Sequence, residues 1–288
     1  MMGGKRVKIG FCMLLWTTHV DDSHRSLIED IKTTGYDGIE VPIFEGEPEH
    51  YARLGSLLDE IGLERTAISV IPTPEVEPVS DDPDVRRASV RYLNHISDCT
   101  AALGASQVAG PLHQVLGRFS GSATTGAEFE RARQVHRAAG DYAQTQGVTI
   151  VLEAVNRFES YFANTMHDLA AYLDTVDHPA VTGMYDTFHA NIEEQDPVAA
   201  YTRNQRHLKY VHISENDRGV PGRGHVPWAE TFAAIKGSGY DGWLTIESFG
   251  RGLPALAAAT RVWRDFAESP EAVYREGFRC IRDGWDAA

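Results

Sequence analysis

Along the chain, short apolar runs rich in β-branched residues alternate with longer segments whose apolar positions recur every three or four residues. The short runs are "VKIGFCML" (7–14), "GIEVPI" (38–43), "TAISVI" (66–71), "SQVAGPL" (106–112), "VTIVLEAV" (148–155), "VTGMYDTF" (181–188), "LKYVHIS" (208–214) and "GWLTIES" (242–248). Strands covered on both faces read in this way, without a strict apolar–polar alternation. Between them, "HRSLIEDIKTTG" (24–35), "PDVRRASVRYLNHISDCTAALG" (83–104) and "GAEFERARQVHRAAGDYAQTQG" (126–147) have helical spacing, each closed by the glycine a helix exit favours. The stretch "GYDGIEV" (35–41) returns as "GYDGWLTIE" (239–247), each time a helix exit, a tight turn and a strand.

Eight such βα units in 288 residues predict a (β/α)8 TIM barrel as a single domain over residues 1–288. Residues 1–6 are expected to form a short disordered leader, and residues 253–288 a C-terminal helical extension beyond the eighth strand. A doubly wound sheet is the other arrangement of alternating β and α elements. It normally carries a glycine-rich phosphate loop after its first strand, and "CMLLWTTHV" (12–20) has none. "PTPEVEPVSDDPD" (72–84) reads as one long acidic loop rather than a linker.

Composition narrows the function. A formal net charge of −14 with no basic stripe argues against nucleic acid as a partner. No run approaches the roughly 18 to 20 apolar residues of a membrane span. The N-terminal stretch lacks the small-residue cleavage site of a signal peptide. Three cysteines, Cys12, Cys99 and Cys280, form no CxxC pair, which argues against a disulfide framework and fits a reducing cytoplasm.

Candidate chemistry lies where the apolar runs are interrupted. "TIVLEAVNRFE" (149–159) places Glu153 inside an otherwise buried strand, where an isolated carboxylate is costly. Asp186, His212 and Glu247 stand at matching places in the next three runs. Taken singly, the glutamates could pair with arginine, Asp186 could cap a helix, and His212 could be a core histidine. Adjacent strands lie about 5 Å apart, however, and a barrel gathers the C-terminal ends of its strands at one rim. Four ligand-type groups on four successive strands therefore predict a metal site. Its oxygen-rich, thiolate-free donor set disfavours a closed structural zinc site and favours Mn²⁺, Mg²⁺ or Co²⁺. Glu159, His189, Glu215 and Arg218 follow the same strands and suit a polyhydroxylated ligand.

The motifs "LEAVNRFES" (152–160), "YDTFHANIEE" (185–194), "VHISENDRG" (211–219) and "GYDGWLTIESF" (239–249) resemble, in order and spacing, those of the ketose 3-epimerases of the xylose-isomerase-like barrels. These include the D-tagatose, D-allulose (D-psicose) and L-ribulose 3-epimerases. The resemblance implies a homodimeric or homotetrameric, Mn²⁺-type enzyme with Glu153, Asp186, His212 and Glu247 as ligands. Glu159, His189 and Arg218 would hold the reacting end of a ketose sugar. On this basis Glu153 and Glu247 are expected to be the acid/base pair that removes and returns the C3 proton through an enediolate. An aldose–ketose or hydroxypyruvate isomerase, a keto-acid or inosose epimerase, and a non-catalytic sugar-binding module are the alternative readings. The segments "FCMLLW" (11–16), with Cys12, and "GPLHQVLGRFSG" (110–121) depart from the family pattern and leave the preferred ketose open. Asn156 and Arg157 have no role beyond their place in the motif.

Overall fold

The computed structural model describes residues 7–288; the expected leader at 1–6 lies outside the described residues. Eight parallel strands close in the order β1-β2-β3-β4-β5-β6-β7-β8. They are β1 (Lys8–Cys12), β2 (Gly38–Pro42), β3 (Glu64–Ile68), β4 (Gln107–Gly110), β5 (Thr149–Glu153), β6 (Val181–Asp186), β7 (Leu208–Ile213) and β8 (Trp243–Ile246). Closure is made where β1 pairs with β8, Ile9 opposite Leu244 and Phe11 opposite Ile246.

The helices are α1 (Arg25–Thr34), α2 (Pro48–Ile61), α3 (Pro83–Leu103), α4 (Gly126–Thr145), α5 (Met166–Val176), α6 (Thr187–Glu193), α7 (Pro197–Asn204), α8 (Trp228–Gly237), α9 (Pro254–Thr260) and α10 (Pro270–Ala287). The C-terminal extension therefore holds two helices, α9 and α10. No helix among the described residues is long and apolar enough to cross a membrane.

All eight expected strands form, and the sequence patterns explain their limits. The strands are apolar on both faces because helices cover the outside while side chains fill the lumen. A core of residues such as Phe11, Ile39, Val41, Ile150, Val211 and Ile246 results, all essentially inaccessible. In the repeated "GYDG", Gly35 (φ 119°) and Gly239 (φ 76°) take the left-handed conformation that lets the chain leave a helix and turn into β2 or β8.

Most strands stop one to three residues short of their apolar runs. Residues 13–15 coil into a 3-10 turn and Thr187 already begins α6, so the ends of the runs belong to the rim rather than the sheet. The acidic loop at 72–84 contains a single 3-10 turn at Pro74–Val76 before α3 begins at Pro83.

Candidate active site

At the C-terminal rim, β5 ends at Glu153, β6 ends at Asp186 and β7 carries His212 near its end. Glu247 lies one residue beyond β8, its backbone N–H still donating to Ile213 O at 3.2 Å. All four are at most 3% exposed. Glu153, Asp186 and His212 each offer a ligand atom, and these atoms lie within 4.8 Å of one another. Glu247 stands beside this trio, with Oε1 3.5 Å from His212 Nδ1 and Oε2 3.7 Å from Arg218 Nη2.

Each of the four leaves one buried atom without a hydrogen-bond partner: Glu153 Oε1, Asp186 Oδ2, His212 Nδ1 and Glu247 Oε2. Buried polar atoms are normally satisfied, so the orphans of Glu153, Asp186 and His212, with that of Glu247 beside them, fit a divalent cation. Asp186 makes the helix cap considered for it in the sequence and still has one oxygen without a partner. Its Oδ1 accepts from the N–H groups of Phe188 (2.6 Å) and His189 (3.4 Å) at the start of α6, leaving Oδ2 for the site.

Electrostatics divide the carboxylates. Burial, reinforced by Asp186 and Glu247, pushes Glu153 well above the usual carboxylate range. Burial likewise raises Glu247, to about 7, against the pull of His212 and Arg218. Asp186 is buried too, yet His189, His212 and Arg218 outweigh desolvation and hold it below its ordinary value. Burial opposes protonation of His212, but Glu40 and Glu247 overcome it and raise its pKa.

A second group of donors and acceptors borders this cluster. Arg218, in the left-handed region at φ 59°, has its guanidinium 4.1 Å from the centroid of the Phe188 ring and 4.7 Å from that of Phe249. Its Nη1 donates to Glu159 Oε1 at 3.2 Å, and its backbone carbonyl accepts from Ser248 Oγ at 2.6 Å. Nδ1 of His189 accepts from the Asn156 backbone N–H at 3.0 Å. A backbone N–H can only donate and a neutral imidazole accepts at one nitrogen, so Nε2 carries the proton. Nε2 lies 3.5 Å from Glu153 Oε1 and 3.0 Å from Arg218 Nη2.

Asn156 and Arg157 now have physical roles. Asn156 Nδ2 donates to Glu159 Oε1 (2.9 Å), and Oδ1 accepts from the Phe158 N–H (3.0 Å), forming the turn that presents Glu159. Arg157 turns away and makes a forked pair with Glu193 of α6, Nη2 to Oε2 at 2.7 Å. Glu215, expected beside the ion, instead organises its own loop. It accepts from the N–H groups of Asn216, Gly222 and Val226 and from Trp228 Nε1, at 2.8 to 3.1 Å.

Sequence reasoning missed Glu40, which is fully buried in β2 with both carboxyl oxygens 3.1 Å from His212 Nε2. The signal was present, since "GIEVPI" interrupts a buried strand with a carboxylate just as "TIVLEAV" does.

Glu153, Glu159, His189, Arg218 and Glu247 border a cavity of about 200 Å³ whose other walls include Leu14, Phe44, Val70, Leu116, Leu256 and Ala259. The lining thus combines a few charged groups with a larger number of apolar side chains. Helix α9 forms part of the outer wall, and Thr260 contributes a hydroxyl-bearing side chain there. Cys12, in the divergent first segment, packs behind Leu14 in a small apolar cluster with Ile68 and Phe249.

The model of the xylose isomerase-like TIM barrel matches residues 28–284. A ketose 3-epimerase of Arthrobacter globiformis is 32% identical over 280 residues, covering 96% of each chain. An L-ribulose 3-epimerase of Methylomonas sp. is 33% identical over 264 residues, covering 91% of this chain and 92% of that one. Among solved structures, the D-allulose 3-epimerase of Methylomonas sp. in complex with D-allulose superposes with a TM-score of 0.89 at 30% identity, covering 97% of both chains. The chain belongs to the xylose isomerase-like TIM barrel family, and its relatives there include ketose 3-epimerases.

Proposed function

We propose that this protein is a metal-dependent ketose 3-epimerase that interconverts free ketohexoses or ketopentoses differing at C3. D-allulose/D-fructose, D-tagatose/D-sorbose and L-ribulose/L-xylulose are the candidate pairs. The carrying observation is the convergence of buried, unpartnered atoms from Glu153, Asp186, His212 and Glu247, two of which, Glu153 and Glu247, line a cavity with largely apolar walls. Those four residues would hold the ion, and a donor set with one imidazole and three carboxylates suits Mn²⁺, Co²⁺ or Mg²⁺, of which Mn²⁺ is the ion the family resemblance implies. When bound, the ion supplies Lewis-acid stabilisation of negative charge on neighbouring oxygens.

The protein residues do the rest. Glu153 and Glu247 come from strands three steps apart in the barrel and reach the site from different sides. One removes the proton from C3, whose acidity comes from the adjacent C2 carbonyl, and the other protonates the opposite face of the enediolate; the roles exchange in reverse. Burial raises Glu247 to about 7 in the ion-free site, and a bound divalent cation would favour the carboxylate form that accepts the C3 proton. Arg218 and the Nε2–H of His189 present donors to the ketose oxygens at the reacting end, and Glu159 accepts from a hydroxyl there. The apolar walls exclude water and contact the far end of the sugar.

This reading also makes residues 7–288 one working domain, active as a homodimer or homotetramer in the cytoplasm. The absence of disulfides among Cys12, Cys99 and Cys280 supports that compartment. A panel of D-fructose, D-allulose, D-tagatose and L-ribulose, assayed with Mn²⁺ and after chelation, tests the proposal. Metal-stimulated conversion of at least one ketose to its C3 epimer is expected. Aldose formation, or no metal-dependent turnover on any of them, would overturn it.

A further inference from the structure

The buried carboxyl group of Glu40 has no place in the chemistry above. It lies in β2, between β1 and β3, whereas His212 lies in β7, between β6 and β8. The contact therefore crosses the barrel lumen. Both residues are inaccessible to solvent, and both Glu40 oxygens stand 3.1 Å from one nitrogen, His212 Nε2. The other ring nitrogen, Nδ1, has no hydrogen-bond partner and faces Asp186 Oδ2 (3.7 Å) and Glu247 Oε1 (3.5 Å).

The surrounding layer holds Glu40 in place. Cys12 and Thr66 are its register partners on the flanking strands. Tyr210 lies beneath His212, its hydroxyl 2.7 Å from both Thr66 Oγ1 and Thr245 Oγ1. Glu40 does not border the cavity itself.

We propose that Glu40 is a positioning residue for the metal site: by accepting the Nε2–H of His212 across the barrel, it fixes the ring so that the Nδ1 lone pair faces Glu153, Asp186 and Glu247. An imidazole can ligate only through an unprotonated nitrogen, and the hydrogen bond made by its other nitrogen decides which one that is. Two acceptor oxygens on Nε2 place the proton there. Without them the ring is free to rotate about its χ2 angle or to carry its proton on Nδ1, and in either case the ligand lone pair is lost. Partners of this kind typically change metal affinity 10- to 100-fold. The inference rests on the reading of His212 as a ligand.

The test is a binding cycle on the metal-free full-length chain, titrated with Mn²⁺ alone and read by the electron paramagnetic resonance signal of the free ion. Wild type, Glu40→Ala, His212→Ala and the double variant are compared, with circular dichroism as the check on folding. Glu40→Ala is expected to weaken Mn²⁺ binding about 10- to 100-fold, with Glu40→Gln intermediate because its amide oxygen can still accept from Nε2–H. Once His212 is gone, Glu40→Ala should weaken binding no further, since it acts through that ring. Additive losses in the double variant, or wild-type affinity in Glu40→Ala, would overturn the positioning role. Wild-type affinity in His212→Ala would instead overturn the ligand assignment beneath it. If Glu40→Ala fails to fold, Glu40→Gln takes its place in the cycle with the same expected non-additivity, and additive losses again contradict the proposal.

Discussion

At the residue scale, the site shows why some positions could be read from sequence and others could not. Glu153, Asp186, His212 and Glu247 were legible because each interrupts an apolar run at a place where a barrel brings strand ends together. Glu40 interrupts a run just as plainly, but its partner lies across the lumen, and only the closed register of the sheet reveals it. Asn156 was opaque because two of its contacts are made by, or to, backbone groups of a turn that the motif does not spell out. The difference between Asn156 and Arg157 is testable. Asn156→Ala removes the support of Glu159 and is expected to raise KM for the ketose and lower kcat, about tenfold together in kcat/KM. Arg157→Ala breaks a pair in which the arginine is exposed but the Glu193 side chain is buried, and should cost about 1 to 3 kcal/mol in urea unfolding, with near wild-type activity. Glu153→Gln and Glu247→Gln should each lower kcat by at least about 10² to 10⁴, and full activity in either would remove it from the acid/base pair.

At the element scale, the apolar runs predicted every strand but not where each would stop. β4 illustrates the reason. Its run continues to Leu112, yet the strand ends at Gly110, which adopts φ 129° and lies so close to β3 that a Cβ would overlap the Ser69 carbonyl oxygen. The chain then leaves the sheet to form the loop in which His113 Nε2 donates to the Glu153 carbonyl at 2.8 Å. Gly110→Ala is accordingly expected to destabilise the protein by about 2 to 4 kcal/mol, measurable as a lowered urea midpoint. The helical spacing likewise predicted helices beyond β8, but not that α9 would wall the cavity. That depends on Leu256, Ala259 and Thr260 meeting residues more than 60 positions away.

At the scale of the whole molecule, buried titratable groups set how the fold responds to solution conditions. His136 of α4 is fully buried between Tyr172 Oη and the Leu112 carbonyl, and burial lowers its pKa from 6.5 to about 4. Its folded value lies below its unfolded one, so its contribution is complete above pH 6.5 and is lost as pH falls toward 4, because the unfolded chain takes up the proton first. Wild-type stability should fall by on the order of 3 kcal/mol from this group across that window, and His136→Gln should flatten the decline. Metal removal is a second lever. An ion that engages four orphaned buried atoms of the folded chain stabilises it by mass action, about 2.7 kcal/mol at one hundred times the dissociation constant. Chelation should therefore lower the melting temperature, and added Mn²⁺ should restore it.

The central claim is that proton transfer occurs at C3 of a ketose between two carboxylates of this chain, and solvent isotope incorporation reports it directly. With the Mn²⁺-loaded protein in D₂O and D-fructose or D-tagatose as substrate, proton NMR should show deuterium at C3 of the epimeric product and, with time, of the recovered substrate, with C1 unlabelled. Epimerised product that retains protium at C3, or label that enters only at C1, would contradict the account.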